Sequence, residues 1–428
     1  MLGPLLLAFA LAAAPQNQNH PGLVHLGKGE WGTVAQALER GMILHHDQWF
    51  PKELEKDLRK WEKEDAKKGL DWKERYQTKS KYYRIETNVP RWRVELEIKP
   101  FLDELFETHR RVMAEDFGIS GKAAGNKDIR IYDGFNAYSV NEGDENGPRP
   151  RTNPGFIING SELVLYYDET DPGAFYLTCF HEGAHQFFLS LLPGATPPHW
   201  LTEALATYFE GCTYSRATRT ITPGFVPSER LQQAQSILKK DKNPSASALF
   251  LDVPKEKFRG LEYSLAWSFT HYLIHRPGEK SRQRFASFVR ELNGSGVKPA
   301  AEVFAKATKE DFEALIPGWR EHVLALTPPP SIDWLVLNVT KAAPEEDLRS
   351  EDLLWSFDGV EVFGHKQFQT LWQARPKDRA YEVVVVRCEP DMSSPQSTRR
   401  FVRVTIQPGS TLTLVPQGEF PRHGALSD

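Results

Sequence analysis

The spacing of apolar positions divides the chain into stretches of different period. Tyr82 to Val89 predicts a strand, and the apolar positions between Arg93 and Phe117 recur at helical spacing, predicting one long helix. Lys127 to Tyr132 and Leu163 to Tyr167 read as further strands among loops rich in glycine and proline. The latter strand is either a sheet edge, beside which an extended peptide can pair, or an interior strand. Phe175 to Leu192 is apolar over most of its length and predicts a buried helix, opened by Asp171 as cap and Pro172 in its first turn. Residues 228 to 327 keep helical spacing, most clearly over Leu261 to His275 and Arg282 to Leu292. A strand, a helix, more strands and then a run of helices imply an α+β fold.

The two ends differ from this middle. Residues 16 to 80 form a charged segment, and Lys52 to Trp61 mixes opposite charges at three- and four-residue spacing, predicting an exposed helix whose charges face solvent. Ahead of it, Leu5 to Ala14 is a short apolar run ending in small residues and followed by Pro15 and polar Gln16 to Asn19. That run is too short to span a bilayer and reads as an export signal over residues 1 to 15, although no lysine or arginine precedes it. Toward the other end, Pro328-Pro329-Pro330 marks a linker. Strands are then predicted at Trp334 to Val339, Ala380 to Arg387 and Arg400 to Ile406, with a helix at about Lys366 to Ala374.

Composition narrows the function class. The 428 residues carry 53 Lys and Arg against 57 Asp and Glu, a balance that asks for no nucleic-acid partner. No other apolar stretch is long enough for an integral membrane span, so the mature chain is expected outside the cytoplasm, secreted or periplasmic. Three cysteines, Cys179, Cys212 and Cys388, exclude a disulfide framework; a Cys179–Cys212 bridge and two buried thiols both stay open.

The chemistry concentrates at His181-Glu182-Gly183-Ala184-His185. Histidines four apart share one helix face and can hold one Zn2+ between them, with Glu182 beside the open coordination position as general base. Thirteen histidines in 428 residues make a chance HExxH a matter of roughly a few per cent of such chains, so a third ligand is needed to strengthen the assignment. Glu203, on the helix predicted from Trp200 to Glu210 and ended by Gly211, supplies it. Residues 186 to 202 lie between, enough to finish one helix, turn at Leu192-Pro193-Gly194 and return. His271 and His275 are also four apart, but their neighbours point to a partly exposed helix face rather than a second metal pair.

HExxH followed by Trp200-Leu201-Thr202-Glu203-Ala204-Leu205-Ala206 resembles the gluzincin zinc metallopeptidases, and most closely the peptidase-MA-like families, over about residues 80 to 327. Those families usually have glycine where this chain has Ala204. The resemblance implies a thermolysin-like zincin domain over residues 81 to 327, a Zn2+ cofactor on His181, His185 and Glu203, and a peptide or protein substrate. It also implies a role for Tyr263, since related enzymes place a tyrosine at the start of a similar helix to stabilise the oxyanion. No Gly-Ala-Met-Glu-Asn element precedes the motif, which favours internal cleavage over aminopeptidase action.

Asp352-Leu353-Leu354 followed by Asp358-Gly359 and Val362 resembles the centre of bacterial PDZ domains, implying a small, mainly β module over residues 331 to 416 that recruits a protein partner. Asp333 stands where such domains usually have glycine in the carboxylate-binding loop, and its charge disfavours a terminal carboxylate. A non-catalytic, zinc-stabilised scaffold using this module is the competing function. Glu182 argues against it, because structural zinc needs four ligands and no base.

Overall fold

The computed structural model describes residues 24 to 416 apart from 29, 47, 120–124, 144–146, 150–153, 159–160, 170–171, 192–196, 217, 224–225, 242–243, 279, 295–298, 328–334, 342–347, 349–351, 363–364, 376–379, 390–397 and 407–410. The export signal, the Asp171 cap, the Leu192-Pro193-Gly194 turn, the triple-proline linker and Asp333 all lie outside the described residues.

The charged N-terminal segment is only partly helical. Strands β1 (Val24–Gly27) and β2 (Glu30–Gly32) pair antiparallel and lead into α1 (Val34–Glu39). Thr33 and Gln36 close the start of α1 reciprocally: the Gln36 amide donates to the Thr33 hydroxyl and the Gln36 side chain accepts from the Thr33 amide. A second hairpin follows, β3 (Ile43–His45) with β4 (Gln48–Phe50), and only then α2 (Glu55–Lys68), the helix predicted from charge spacing. Sequence spacing missed the hairpins because their strands are three or four residues long, too short to show a period.

The central sheet comprises β5 (Tyr76–Lys79), β6 (Tyr83–Thr87), β7 (Lys127–Asp133), β8 (Gly155–Ile158) and β9 (Glu162–Tyr167), in the order β5-β6-β7-β9-β8. Strands β6, β7 and β9 run parallel, and the two edges are antiparallel. Leu163 to Tyr167 is therefore interior and β8 is the edge. Consecutive Leu163, Val164 and Leu165 are each fully buried, the mark of a strand covered on both faces. Between β6 and β7 the chain makes a short turn at Arg91–Arg93, a π-helical turn at Val94–Ile98 and then α3 (Lys99–Glu115). Helix α4 (Phe135–Asn141) follows β7.

Helices then dominate: α5 (Pro172–Leu191), α6 (His199–Phe209), α7 (Ser228–Lys240), α8 (Gly260–His275), α9 (Ser281–Gly294), α10 (Ala300–Thr308) and α11 (Ile316–Ala325), with the hairpin β10 (Thr213–Ser215) and β11 (Thr220–Thr222) after α6. Helix α6 packs against both α5 and α8. One core joins the sheet, α3 and these helices, and its largest members include Trp200, Trp267 and Trp319, each almost fully buried. Cys179 and Cys212 are both buried free thiols, so no bridge joins them. Among the described residues no helix is long and apolar enough to cross a membrane.

The C-terminal module is an antiparallel sheet of β12 (Leu335–Lys341), β13 (Leu353–Phe357), β14 (Val360–Glu361), β15 (Tyr381–Glu389), β16 (Thr398–Ile406) and β17 (Thr411–Pro416), with α12 (His365–Ala374) between β14 and β15. Its order is β16-β15-β13-β12-β17, with β14 paired to β13. Val24, Val34, Ala37 and Met42 from the chain's start complete its core beside Leu354, Phe357, Phe368, Val383 and Val385. Ala37 is fully buried there, and an unpaired carboxylate in such a place costs several kcal/mol. Ala37→Asp is therefore expected to speed amide hydrogen exchange in β13 and β15 while leaving α5 and α6 protected; unchanged exchange in β13 would contradict this shared core.

Candidate metal centre

Between Phe175 and Leu189, helix α5 is buried on nearly every face, and its partly exposed residues there trace one stripe: Leu177, His181, Glu182, His185 and exposed Leu189. The two histidines thus open onto the single accessible side of a core helix, their rings 5.0 Å apart. Gly183 faces the other way. A β-carbon there would stand 3.1 Å from His109 Cε1 and 3.4 Å from Leu105 Cδ2, so glycine lets α5 settle closely onto α3.

Glu203, from α6, arrives between the imidazoles. Its Oε2 lies 3.4 Å from His181 Nε2 and 3.3 Å from His185 Nε2. One ligand atom from each of the three residues falls within 4.8 Å of the others. The second carboxylate oxygen, Oε1, is 3.4 Å from His199 Nδ1, one turn earlier on the same helix. Ala204 is fully buried behind Glu203. His199 sits against the Phe258 ring, and burial holds its pKa below the usual histidine range, favouring the neutral ring.

A second layer holds the first. Glu210 Oε1 is 2.8 Å from His181 Nδ1. Arg230, from the start of α7, grips the same carboxylate with Nε to Oε2 at 2.9 Å and an Nη2 to Oε1 at 3.1 Å. Glu210 occupies the C-cap of α6 in a right-handed conformation, and Gly211 is not left-handed as a glycine cap would be. A carboxylate on the far nitrogen of a ligating imidazole fixes its tautomer and orientation, directing Nε2 toward the ion.

The charges around the cluster favour a cation. Glu182, Glu203 and Glu210 surround two imidazoles and one guanidinium, leaving an excess of negative charge if the histidines are neutral. Burial acts to lower the His181 pKa, but its contacts with Glu203 and Glu210 outweigh burial and raise it to about 10. Burial acts to raise Glu203 and Glu210; the histidine contacts hold Glu203 below the carboxylate range, and Arg230 with His181 brings Glu210 to about 2. Two imidazoles and a carboxylate around a site drawing positive charge fit a divalent ion of the zinc class. Burial pushes the Glu182 carboxyl above the usual carboxylate range.

Tyr263, near the start of α8, has its ring 6.2 Å from that of His181 and close to Phe258 and the Arg230 guanidinium. Burial raises its pKa and keeps the phenol protonated. His271 and His275 are half-buried: His271 Nδ1 lies 3.0 Å from His322 Nε2, and His275 Nε2 lies 2.9 Å from the Tyr208 hydroxyl. Among the described residues neither belongs to a metal-holding group.

Below the site, His109 is fully buried against Phe187 and Phe209, and burial drives its pKa down to about 3. The unfolded chain, titrating near 6.5, binds the extra proton between these values, so stability is full above 6.5 and falls as pH drops toward 3. The slope from this one group approaches about 1.4 kcal/mol per pH unit. Urea unfolding across that window is expected to show a flatter pH dependence for His109→Phe than for the wild type. Parallel curves would contradict the assignment.

A family profile described as a protein of unknown function, DUF1570, matches residues 176–299. That stretch contains His181, Glu182, His185, His199, Glu203, Glu210, Arg230 and Tyr263. No curated protein matches the chain significantly.

Proposed function

We propose that the chain is a secreted zinc peptidase of the gluzincin kind, cleaving within extended peptides. The observation carrying this reading is the convergence of His181, His185 and Glu203 on one point, with the half-buried Glu182 beside them. Three protein ligands leave a coordination position open for water, and the Glu182 carboxylate beside that position is what suits catalysis. When bound there, zinc would polarise the scissile carbonyl and bring the pKa of water to about 7. Glu182 then takes the proton of the attacking water and passes it to the leaving amine. Tyr263 donates a hydrogen bond to the developing oxyanion.

Strand β8 supplies the substrate's resting place. It is one of the sheet's two edges, the one beside the HExxH helix, and its Gly155 packs on Thr178, one turn before His181. Main-chain pairing to such an edge holds a peptide extended with little demand on its sequence. Mixed sheet, α3, the HExxH helix and the returning glutamate helix support a thermolysin-like zincin domain, and the antiparallel C-terminal sheet supports a PDZ-like module for a protein partner.

Stripping the full chain with a chelator and restoring zinc tests this reading. Hydrolysis of casein-type peptides is expected to vanish and return. Zinc binding with no hydrolysis, before or after, would favour the scaffold function instead.

A further inference from the structure

A second group of metal-ligating side chains lies where the β3–β4 hairpin meets α2. His45 closes β3, and His46 takes the hairpin turn with φ 54, a left-handed conformation that a histidine adopts at a cost. Neighbours in a regular strand point to opposite faces. The left-handed step at His46 instead brings the two imidazoles together, edge to face, with centroids 4.6 Å apart. Trp92 holds both rings: His46 stacks on it at 4.9 Å, and His45 meets it edge-on at 4.8 Å.

Glu62 reaches this pair from α2. Its Oε1 lies 3.8 Å from His45 Nδ1 and 3.9 Å from His46 Nε2. These separations are too long for hydrogen bonds between the same atoms. They suit a shared ion, because ligands at about 2.0–2.2 Å around a tetrahedral centre stand roughly 3.4 Å apart. One ligand atom from each residue lies within 4.8 Å of the others.

We propose that His45 Nδ1, His46 Nε2 and Glu62 Oε1 bind a second divalent ion of the zinc class, with water beside the half-exposed Glu62 completing its coordination, and that the ion clasps the hairpin to α2. Two imidazoles and one carboxylate select zinc and its neighbours over calcium or magnesium. The clasp has a mechanical role because of what else the hairpin touches. Trp49 Nε1 donates to the Asp358 carbonyl at 2.7 Å, and Leu44 and Trp49 close over Gly359 so tightly that a β-carbon there would clash at 2.4 Å. On its other side Gln48 Nε2 donates to Glu97 Oε2 at 3.0 Å, in the π-helical turn before α3. The ion thus stiffens the strut between the C-terminal module and the HExxH-bearing domain. This inference rests on the hairpin and not on the peptidase reading.

Metal counting in the purified full chain tests it, with zinc as the probe. After dialysis against micromolar zinc, elemental analysis is expected to find two equivalents in the wild type and one in His46→Asn, which keeps its peptide hydrolysis. Glu62→Gln, at a half-exposed surface position, is expected to lose the same equivalent even if His46→Asn folds poorly. Wild type with one equivalent and His46→Asn with none would uphold this site and remove zinc from His181 and His185 instead. Equal zinc in wild type and Glu62→Gln would overturn the proposal.

Discussion

Glu182→Gln is expected to keep its zinc and lose about 10³-fold in peptide hydrolysis, the middle of the range for removing a general base. The amide matches the carboxylate in size and leaves His181, His185 and Glu203 in place, so the ligand set is intact. It cannot accept the proton of the attacking water. The raised proton affinity that burial gives Glu182 is the property removed. Elemental analysis alongside turnover on a labelled peptide separates the outcomes: zinc retained with activity retained would show that Glu182 is not the base.

Glu210→Ala is expected to weaken zinc binding by 10- to 100-fold, the usual effect of deleting the group that orients a ligating histidine. Two losses combine. His181 Nδ1 loses its 2.8 Å partner and the ring is free to turn, while the Arg230 guanidinium keeps its charge beside the cluster and repels the cation. Glu210→Gln keeps the hydrogen-bonding shape and is expected to fall between wild type and alanine. Competition with a fluorescent zinc chelator reads the affinities, and an alanine variant as tight as wild type would remove Glu210 from the site's support.

The first layer of the site is legible in the sequence because it obeys local geometry. His181 and His185 are four apart on one helix, so spacing alone brings them together, and Glu203 follows on the next helix, within reach of a short antiparallel return. The second layer is less visible. Glu210 meets His181 across 29 positions and Arg230 meets Glu210 across 20. A signal was present nonetheless: Glu210 and His199 stand seven after and four before Glu203, on the same helical face as that ligand. The strand order escaped for another reason. Leu163 to Tyr167 has no polar alternation, which speaks for an interior strand, but the edge strand β8 is four residues of ambiguous pattern. The N-terminal hairpins are set by tertiary contact, with Val24 and Met42 buried in a core whose C-terminal members, from Leu348 on, lie more than 300 residues away. No local period can report such a partnership.

Hydrolysis at the His181, His185 and Glu203 centre is read most directly in H2¹⁸O. Zinc-loaded wild type is incubated with a mixed peptide library in labelled water, and the products are weighed by mass spectrometry. New C-termini carrying one ¹⁸O, formed within the peptides and absent with Glu182→Gln, are the predicted result. A zinc-loaded wild type that leaves every peptide intact would contradict it.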